Sequence, residues 1–338
     1  MVNYLKYGVL LCFGLVAHGV YGAIDRRCKF HDLSKVQKEL RKPQSPIIQF
    51  YSSSDNIGNF LPILGIQEML GISTDVWCMH DKDIDFDFIN THYKGAIIGG
   101  AGLLNSCFEP FWIKLRDNCT LPMIMWGLGI CLPYKHGEFA AGVSKEIVQA
   151  VAKKCDLVNL RDLLTAQYYQ LSYADISLCP TVIYLQKFKR NMNAEGLILY
   201  DSHSVSLGKE QTEKIISMLS QHIKELKVIN NIQAKNFGLE DYINEYYCKS
   251  SLVITSRLHG AIIAYGLGIP CIMIPGDYKL NSFQETYGFG TCVSSAKECL
   301  DIIATGNVPF GTPLDLDPVR AFGQKACAWM ARIQQKVR

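Results

Sequence analysis

The sequence predicts an α/β protein built from two Rossmann-like domains that face each other across a cleft. Three observations predict it. Short apolar runs alternate with helix-length stretches, the pattern of parallel strands joined by crossover helices. The alternation restarts after a polar stretch, QKFKRNMNAEG at 186–196. The chain is 338 residues long, more than the ~100–200 residues of one ordinary domain.

Along the chain, the first 24 residues hold an apolar stretch, YGVLLCFGLVAHGVYG, behind Lys6. A signal peptide, a membrane anchor and a peripheral helix are all compatible with it. Seven Lys/Arg follow between Arg26 and Lys42. If the segment stays as an anchor, they hold the body on the cytoplasmic side; cleavage would instead send it down the secretory pathway. Residues 25–45 read as a basic linker, with KFHDLSKVQKELRKP (29–43) forming an amphipathic helix that Pro43 ends.

The first domain, 46–190, is expected to carry strands at 46–51, 73–78, 95–98, 122–126, 156–160 and 176–178. Helices are expected at 60–70, 108–117, 144–154 and 162–171. The second domain, 191–310, has strand candidates 197–201, 227–230, 252–255 and 271–275, with helices at 210–226, 241–250 and 261–268. A last helix, 317–336, lies in the C-terminal segment 311–338.

Composition excludes several classes. The net charge is +3, and the basic excess sits in residues 1–46, leaving a near-neutral body with no electrostatic footprint for nucleic acid. Thirteen cysteines are scattered, without C-x-x-C spacing, and most have apolar neighbours such as those of Cys131, Cys179 and Cys271. They read as reduced, buried thiols, which favours a reducing compartment. Walker, zincin and nucleophile-elbow motifs are missing, and nothing visible requires a metal or a redox cofactor.

The chemistry concentrates where strands run into helices. In SLVITSRLHGAIIAYGLGIPCIMI (251–274), an apolar strand stops at Arg257 and His259, and Gly260 opens an apolar helix. Unpaired N–H groups and the helix dipole favour an anion there. Arg257 adds a planar fork for carboxylate or phosphate, and His259 can exchange a proton near neutrality. Gly260 permits close backbone approach; loop capping by the arginine and histidine is the plainer alternative. In NLRDLLT (159–165), Asp162 reads as a helix N-cap, and Arg161 is a second anion ligand or a structural ion-pair partner. In YSSSDNIGNFLP (51–62), Asn56, Gly58 and Asn59 could wrap donors around a ligand. Gly99 and Gly100 in IIGGAGLLN, and Gly127 in WGLGICLP, suit close approach of backbone to substrate. Lys279, in GDYKLNSF, and His203, ending Asp201-Ser202-His203, are further cleft candidates.

Taken in order, these pieces resemble the polysaccharide pyruvyl transferase family, from about residue 46 to 300. VITSRLHGAIIAYGLGIPCIMI is similar to the family's strand–[ST]-R-x-H-G–helix–G-x-P–strand signature. GGAGLL, WGLGICLP, NLRDLLT and the CPT at 179–181 follow in the family's order. NIGNFLP is similar to its N-x-G-D loop, with Asn59 where an aspartate is common. The resemblance implies a two-domain fold similar to GT-B, and transfer of pyruvate from phosphoenolpyruvate to hydroxyls of a saccharide acceptor as a cyclic ketal. It implies His259 as general acid/base, Arg257 on the donor's anionic groups, and Arg161 and Lys279 on phosphate. Two other readings fit the same scaffold. One is a glycosyltransferase with a nucleotide-sugar donor; the other is a non-catalytic glycan-binding relative, which Asn59 motivates. Phosphoenolpyruvate is cytosolic, which fits a body facing the cytoplasm.

Overall fold

A computed structural model describes residues 30–52, 55–130, 142–191, 196–232 and 237–335. The apolar segment 1–24, Cys131 and part of the polar stretch 186–196 lie outside the described residues. Among the described residues, no helix is long and apolar enough to cross a membrane, and the ten cysteines form no disulfide with one another.

The first half alternates β1 (Ile47–Tyr51), α1 (Ile57–Leu70), β2 (Asp75–Cys78), α2 (Phe86–His92), β3 (Gly95–Gly99), α3 (Glu109–Asn118), β4 (Met123–Leu128), α4 (Lys145–Lys154), β5 (Cys155–Leu160), α5 (Leu163–Tyr169), β6 (Asp175–Ile176) and α6 (Thr181–Leu185). The second runs β7 (Ile198–Asp201), α7 (Ser204–Leu207), α8 (Lys209–His222), β8 (Leu226–Ile229), α9 (Leu239–Tyr242), β9 (Leu252–Thr255), α10 (Leu258–Gly266), β10 (Cys271–Met273), α11 (Tyr278–Tyr287), β11 (Thr291–Cys292), α12 (Ala296–Ala304) and α13 (Asp317–Gln335).

Both sheets are parallel throughout. The first has the order β2-β1-β3-β4-β5-β6 and the second β8-β7-β9-β10-β11. Counted from its own first strand, each sheet therefore begins 2-1-3-4-5. The order reverses at the gap between β1 and β3 in one sheet, and between β7 and β9 in the other. Ligands of open α/β sheets bind outside the strands' carboxyl ends at such switch points. The predicted pair of Rossmann-like α/β sheets is thus the observed one, and each unit has its own switch point.

The inner strands β1, β3 and β4 are buried along their whole length, which is why IIQFY, GAIIG and MIMWGL read as continuous apolar runs. Helices α1 and α10 are apolar nearly all round because both are buried. α1 packs against α6 and α13, and α10 against α6. Gly65 makes the α1 contact possible, since a Cβ there would lie 2.0 Å from the carbonyl oxygen of Pro180.

Two features depart from the sequence reading, and the packing of α13 lies beyond it. Residues 30–43 form no amphipathic helix, only two 3₁₀ turns, Leu33–Lys35 and Lys38–Leu40. Their backbone is claimed by the sheet instead: the Val76 amide donates to the His31 carbonyl at 3.0 Å, and Asp32 bridges in parallel to Val76. The Asp32 carboxylate accepts from the Tyr51 hydroxyl at 2.6 Å, so this segment extends the core. Second, the predicted helix 241–250 is α9 followed by one π turn, Ile243–Tyr247. The last helix, α13, falls where the sequence predicts it and follows the second sheet in the chain. It crosses back onto the first sheet, burying Phe322, Ala326, Trp329 and Ile333 against Ile47, Ile97, Ile124 and Trp126.

Candidate functional site

The loops at the two switch points enclose a cavity of ≈ 340 Å³. From the first unit come Ser52, Asn56, Asn59, His80, Asn105 and Arg161; from the second come His203, Arg257, His259, Asp277 and Lys279.

Arg257 occupies the N-cap position of α10, extended at φ −111°. Its amide donates to the Thr255 hydroxyl at 2.9 Å, and its Nε donates to the Ser202 carbonyl at 2.7 Å. The two terminal guanidinium nitrogens have no hydrogen bond to the described residues. The side chain is thus anchored at Nε, on the loop after β7, while its fork lines the cavity. Behind it lies Asp201, fully buried, with Oδ1 3.5 Å from Arg257 Nε. Burial pushes the Asp201 carboxyl up to about 7, against the pull of Arg257.

Arg161 follows β5 and is only 3% exposed. Gly129 makes room for it, since a Cβ there would lie 2.1 Å from Arg161 Nε. Asp162 is indeed the N-cap of α5, accepting from the Thr165 amide at 2.8 Å. It lies 3.5 Å from Arg161 Nε, and that nitrogen makes no hydrogen bond among the described residues. A buried cation in this state costs free energy, which a bound anion would return. Lys279, in the first turn of α11, pairs with Asp277 at 2.7 Å.

His259 sits among these cations, with Nε2 3.7 Å from the Cys179 sulfur. Desolvation, then Arg161, Lys279 and Arg257, hold it well below the ordinary histidine range. Loss of solvent, helped by Arg257 and Lys279, likewise depresses His203 to about 2; its Nδ1 pairs with the Ser206 hydroxyl at 2.6 Å. Both imidazoles are neutral at physiological pH. The site therefore combines three cations with two neutral proton carriers, a set suited to a polyanionic ligand and to proton transfer.

Of the predicted residues, Asn56, Asn59, Arg161, His203, Arg257, His259 and Lys279 line the cavity, and Gly58, Gly99, Gly100, Gly127 and Gly260 do not. Asn56 caps α1, accepting from the Gly58 amide at 2.9 Å. The glycines serve internal packing rather than ligand approach. A Cβ on Gly58 would meet His259, on Gly99 Ile66, on Gly100 Pro62, on Gly127 Pro180, and on Gly260 Thr255 and Asp201. Gly100 and Gly127 also have φ +76° and +67°, where other residues are strained. Sequence reasoning missed His80, Asn105 and Asn231. His80 lies just past the end of β2 and makes a ring contact with Phe108 at 4.7 Å. The strand-end argument that found Arg257 applies to it equally.

Comparison with solved structures finds the chain similar to the UDP-GlcNAc 2-epimerase of Methanocaldococcus jannaschii in complex with UDP-GlcNAc and UDP. Identity is 9%, with 86% of this chain and 99% of that one covered, at a TM-score of 0.48. It is also similar to S. aureus MnaA with UDP, at 10% identity, 76% and 87% coverage and a TM-score of 0.48. Comparison with curated proteins gives no match. A family model described as polysaccharide pyruvyl transferase matches residues 33–278. That match takes in the first sheet, β7 to β10 of the second, and the cavity-lining Arg161, Arg257 and His259. The chain belongs to the polysaccharide pyruvyl transferase family.

Proposed function

We propose that the cleft transfers pyruvate from phosphoenolpyruvate to two hydroxyls of a saccharide acceptor, forming a ketal and releasing inorganic phosphate. The observation that carries this reading is Arg161: a nearly fully buried cation, lining the cavity, whose Nε has no hydrogen bond among the described residues. Together with the Arg257 fork and Lys279 it supplies receptors for a donor that carries both a carboxylate and a phosphate. The neighbouring carboxylates leave the Arg161 Nε without a hydrogen bond among the described residues, and a bound anion would supply one.

Chemistry follows from the same charges. His259 is neutral in the ligand-free cleft, because burial and then three cations disfavour its protonated form. A polyanionic donor offsets those cations and raises the imidazole's basicity. His259 then takes the proton of the first acceptor hydroxyl as that oxygen adds to C2 of the enol, and a proton is delivered to C3, turning the methylene into a methyl group. The C2–O bond to phosphate breaks next, and phosphate leaves with the electron pair, stabilised by the surrounding cations. The second hydroxyl attacks C2 and closes the ketal. Of the two hydroxyl protons, one ends on C3 and the other on phosphate. Each transfer is ordinary general acid–base work.

Titration calorimetry with phosphoenolpyruvate, wild type beside Arg257→Ala, tests the reading. Weakening of tenfold or more, about 1.4 kcal/mol, is expected, together with phosphate release when acceptor is added. An intact fold that binds a nucleotide sugar and not phosphoenolpyruvate would replace this reading with glycosyl transfer. Glycan binding without turnover would replace it with a non-catalytic role.

A further inference from the structure

One buried carboxylate is linked to both walls of the cleft, directly to one and through Asn231 to the other. Asp201 ends β7 and is fully buried. Its Oδ2 accepts from Asn231 Nδ2 at 2.5 Å and from the Tyr247 hydroxyl at 3.2 Å. Its Oδ1 has no hydrogen bond among the described residues and lies 3.5 Å from Arg257 Nε. Asn231 extends the connection. Its Oδ1 accepts from the same Tyr247 hydroxyl at 2.9 Å, and its carbonyl accepts from the Ile57 amide, the first residue of α1, at 3.0 Å. Asn231 is held at φ +56°, a conformation that asparagine tolerates better than most residues. Its neighbour Ile232 bridges to Asn56, the α1 cap. Room for the carboxylate comes from Gly260, where a Cβ would lie 2.4 Å from Asp201 Oδ2.

We propose that Asp201 is the positioning residue that sets both cleft walls at once, steadying the Arg257 guanidinium from behind and, through Asn231, the start of α1 that carries Asn56 and Asn59. This goes further than the pyruvyl transfer reading and rests on it for the identity of the ligands. The carboxylate is held by Asn231, Tyr247 and the Thr255 hydroxyl, the last at 3.5 Å, and of these Asn231 also lines the cavity. Through Asn231 it joins the Arg257 guanidinium to the start of α1, whose Asn56 and Asn59 line the cavity.

The test compares wild type, Asp201→Asn and Asn231→Ala in the full chain, with folding checked by circular dichroism. Two readouts need no substrate. Phenylglyoxal modification at Arg257, mapped by mass spectrometry, is expected to run at least fivefold faster in Asp201→Asn. Amide exchange across 55–61 is expected to speed up in both variants. With phosphoenolpyruvate and an acceptor, Asp201→Asn should raise both KM values at least fivefold. Asn231→Ala should raise the acceptor KM alone and leave the donor KM within twofold. Unchanged Arg257 reactivity and unchanged exchange would overturn the proposal, as would a loss of kcat at constant KM, the mark of a merely structural acid. If Asp201→Asn fails to fold, unchanged exchange in Asn231→Ala overturns it. A wild type that turns over no phosphoenolpyruvate defeats the pyruvyl transfer reading, and the substrate-free readouts still decide this one.

Discussion

Gly58 of α1 and His259 of α10 are packed face to face across the cleft, so closely that a Cβ on Gly58 would come 2.6 Å from the imidazole Nδ1 and 2.7 Å from Cγ. The two residues belong to helices of different units, and their contact fixes the histidine relative to α1. Both are ring atoms close to the backbone, so they cannot swing away as a flexible tip would. Gly58→Ala is expected to lower kcat at least tenfold while donor affinity, carried by the arginines, changes less than threefold. Steady-state kinetics beside calorimetry would show it; an unchanged kcat would mean that His259 relaxes without loss of its role.

Arg257 is anchored through Nε and presents its fork to the cavity. A lysine keeps the charge and loses both the anchor and the planar pair of donors. Arg257→Lys should therefore weaken phosphoenolpyruvate binding almost as much as Arg257→Ala, tenfold or more. Wild-type affinity in Arg257→Lys would reduce the residue to a point charge.

Asn59 lines the cavity where an aspartate is common in the family. An amide can orient a hydroxyl but cannot take its proton. Asn59→Asp is expected to raise kcat severalfold above the pH at which the new carboxylate ionises, with weaker donor binding as the cost of an added negative charge. A flat pH response would show that position 59 only orients.

The titrating groups also set the pH dependence of stability. His203 has a folded value of about 2, below the ~6.5 of an unfolded histidine. As pH falls from 6.5, the unfolded chain binds a proton that the fold refuses, and stability drops by about 1.4 kcal/mol per pH unit for each such group. His259 acts in the same direction. Asp201 opposes them: raised to about 7, it contributes stability that is full below the unfolded value and is lost as pH rises through 7. Two losses against one gain predict a net fall between pH 6.5 and 4. His203→Gln should flatten it by about one proton's worth, read from urea midpoints across pH.

Trp329 on α13 is buried against the first sheet, with Nε1 donating to Asp156 at 2.8 Å. A Cβ on Gly95 would lie 2.7 Å from its ring, so the indole fills a slot cut for it. Trp329→Ala is expected to cost about 3–5 kcal/mol, measured by urea denaturation. A cost under 1 kcal/mol would mean that α13 does not hold the first sheet.

The amino-acid sequence by itself determined the alternation of parallel strands and helices, because buried parallel strands write themselves as unbroken apolar runs. It also determined where Arg161, Arg257 and His259 lie. A residue between a strand and the next helix sits at the sheet's carboxyl edge by local geometry alone, whatever the rest of the chain does. Tertiary structure decided the rest. Residues 30–43 carry a helical pattern, yet sheet pairing to β2 took their backbone. Gly99, Gly100 and Gly127 look like ligand-contact glycines, and each is filled by a neighbouring side chain from elsewhere in the chain. His80 and Asn231 reach the cavity only because two switch points face each other. The buried link from Asp201 through Asn231 to Ile57 joins residues far apart in sequence. No local pattern announces such contacts, since their energies depend on burial and partners that exist only once both sheets are assembled.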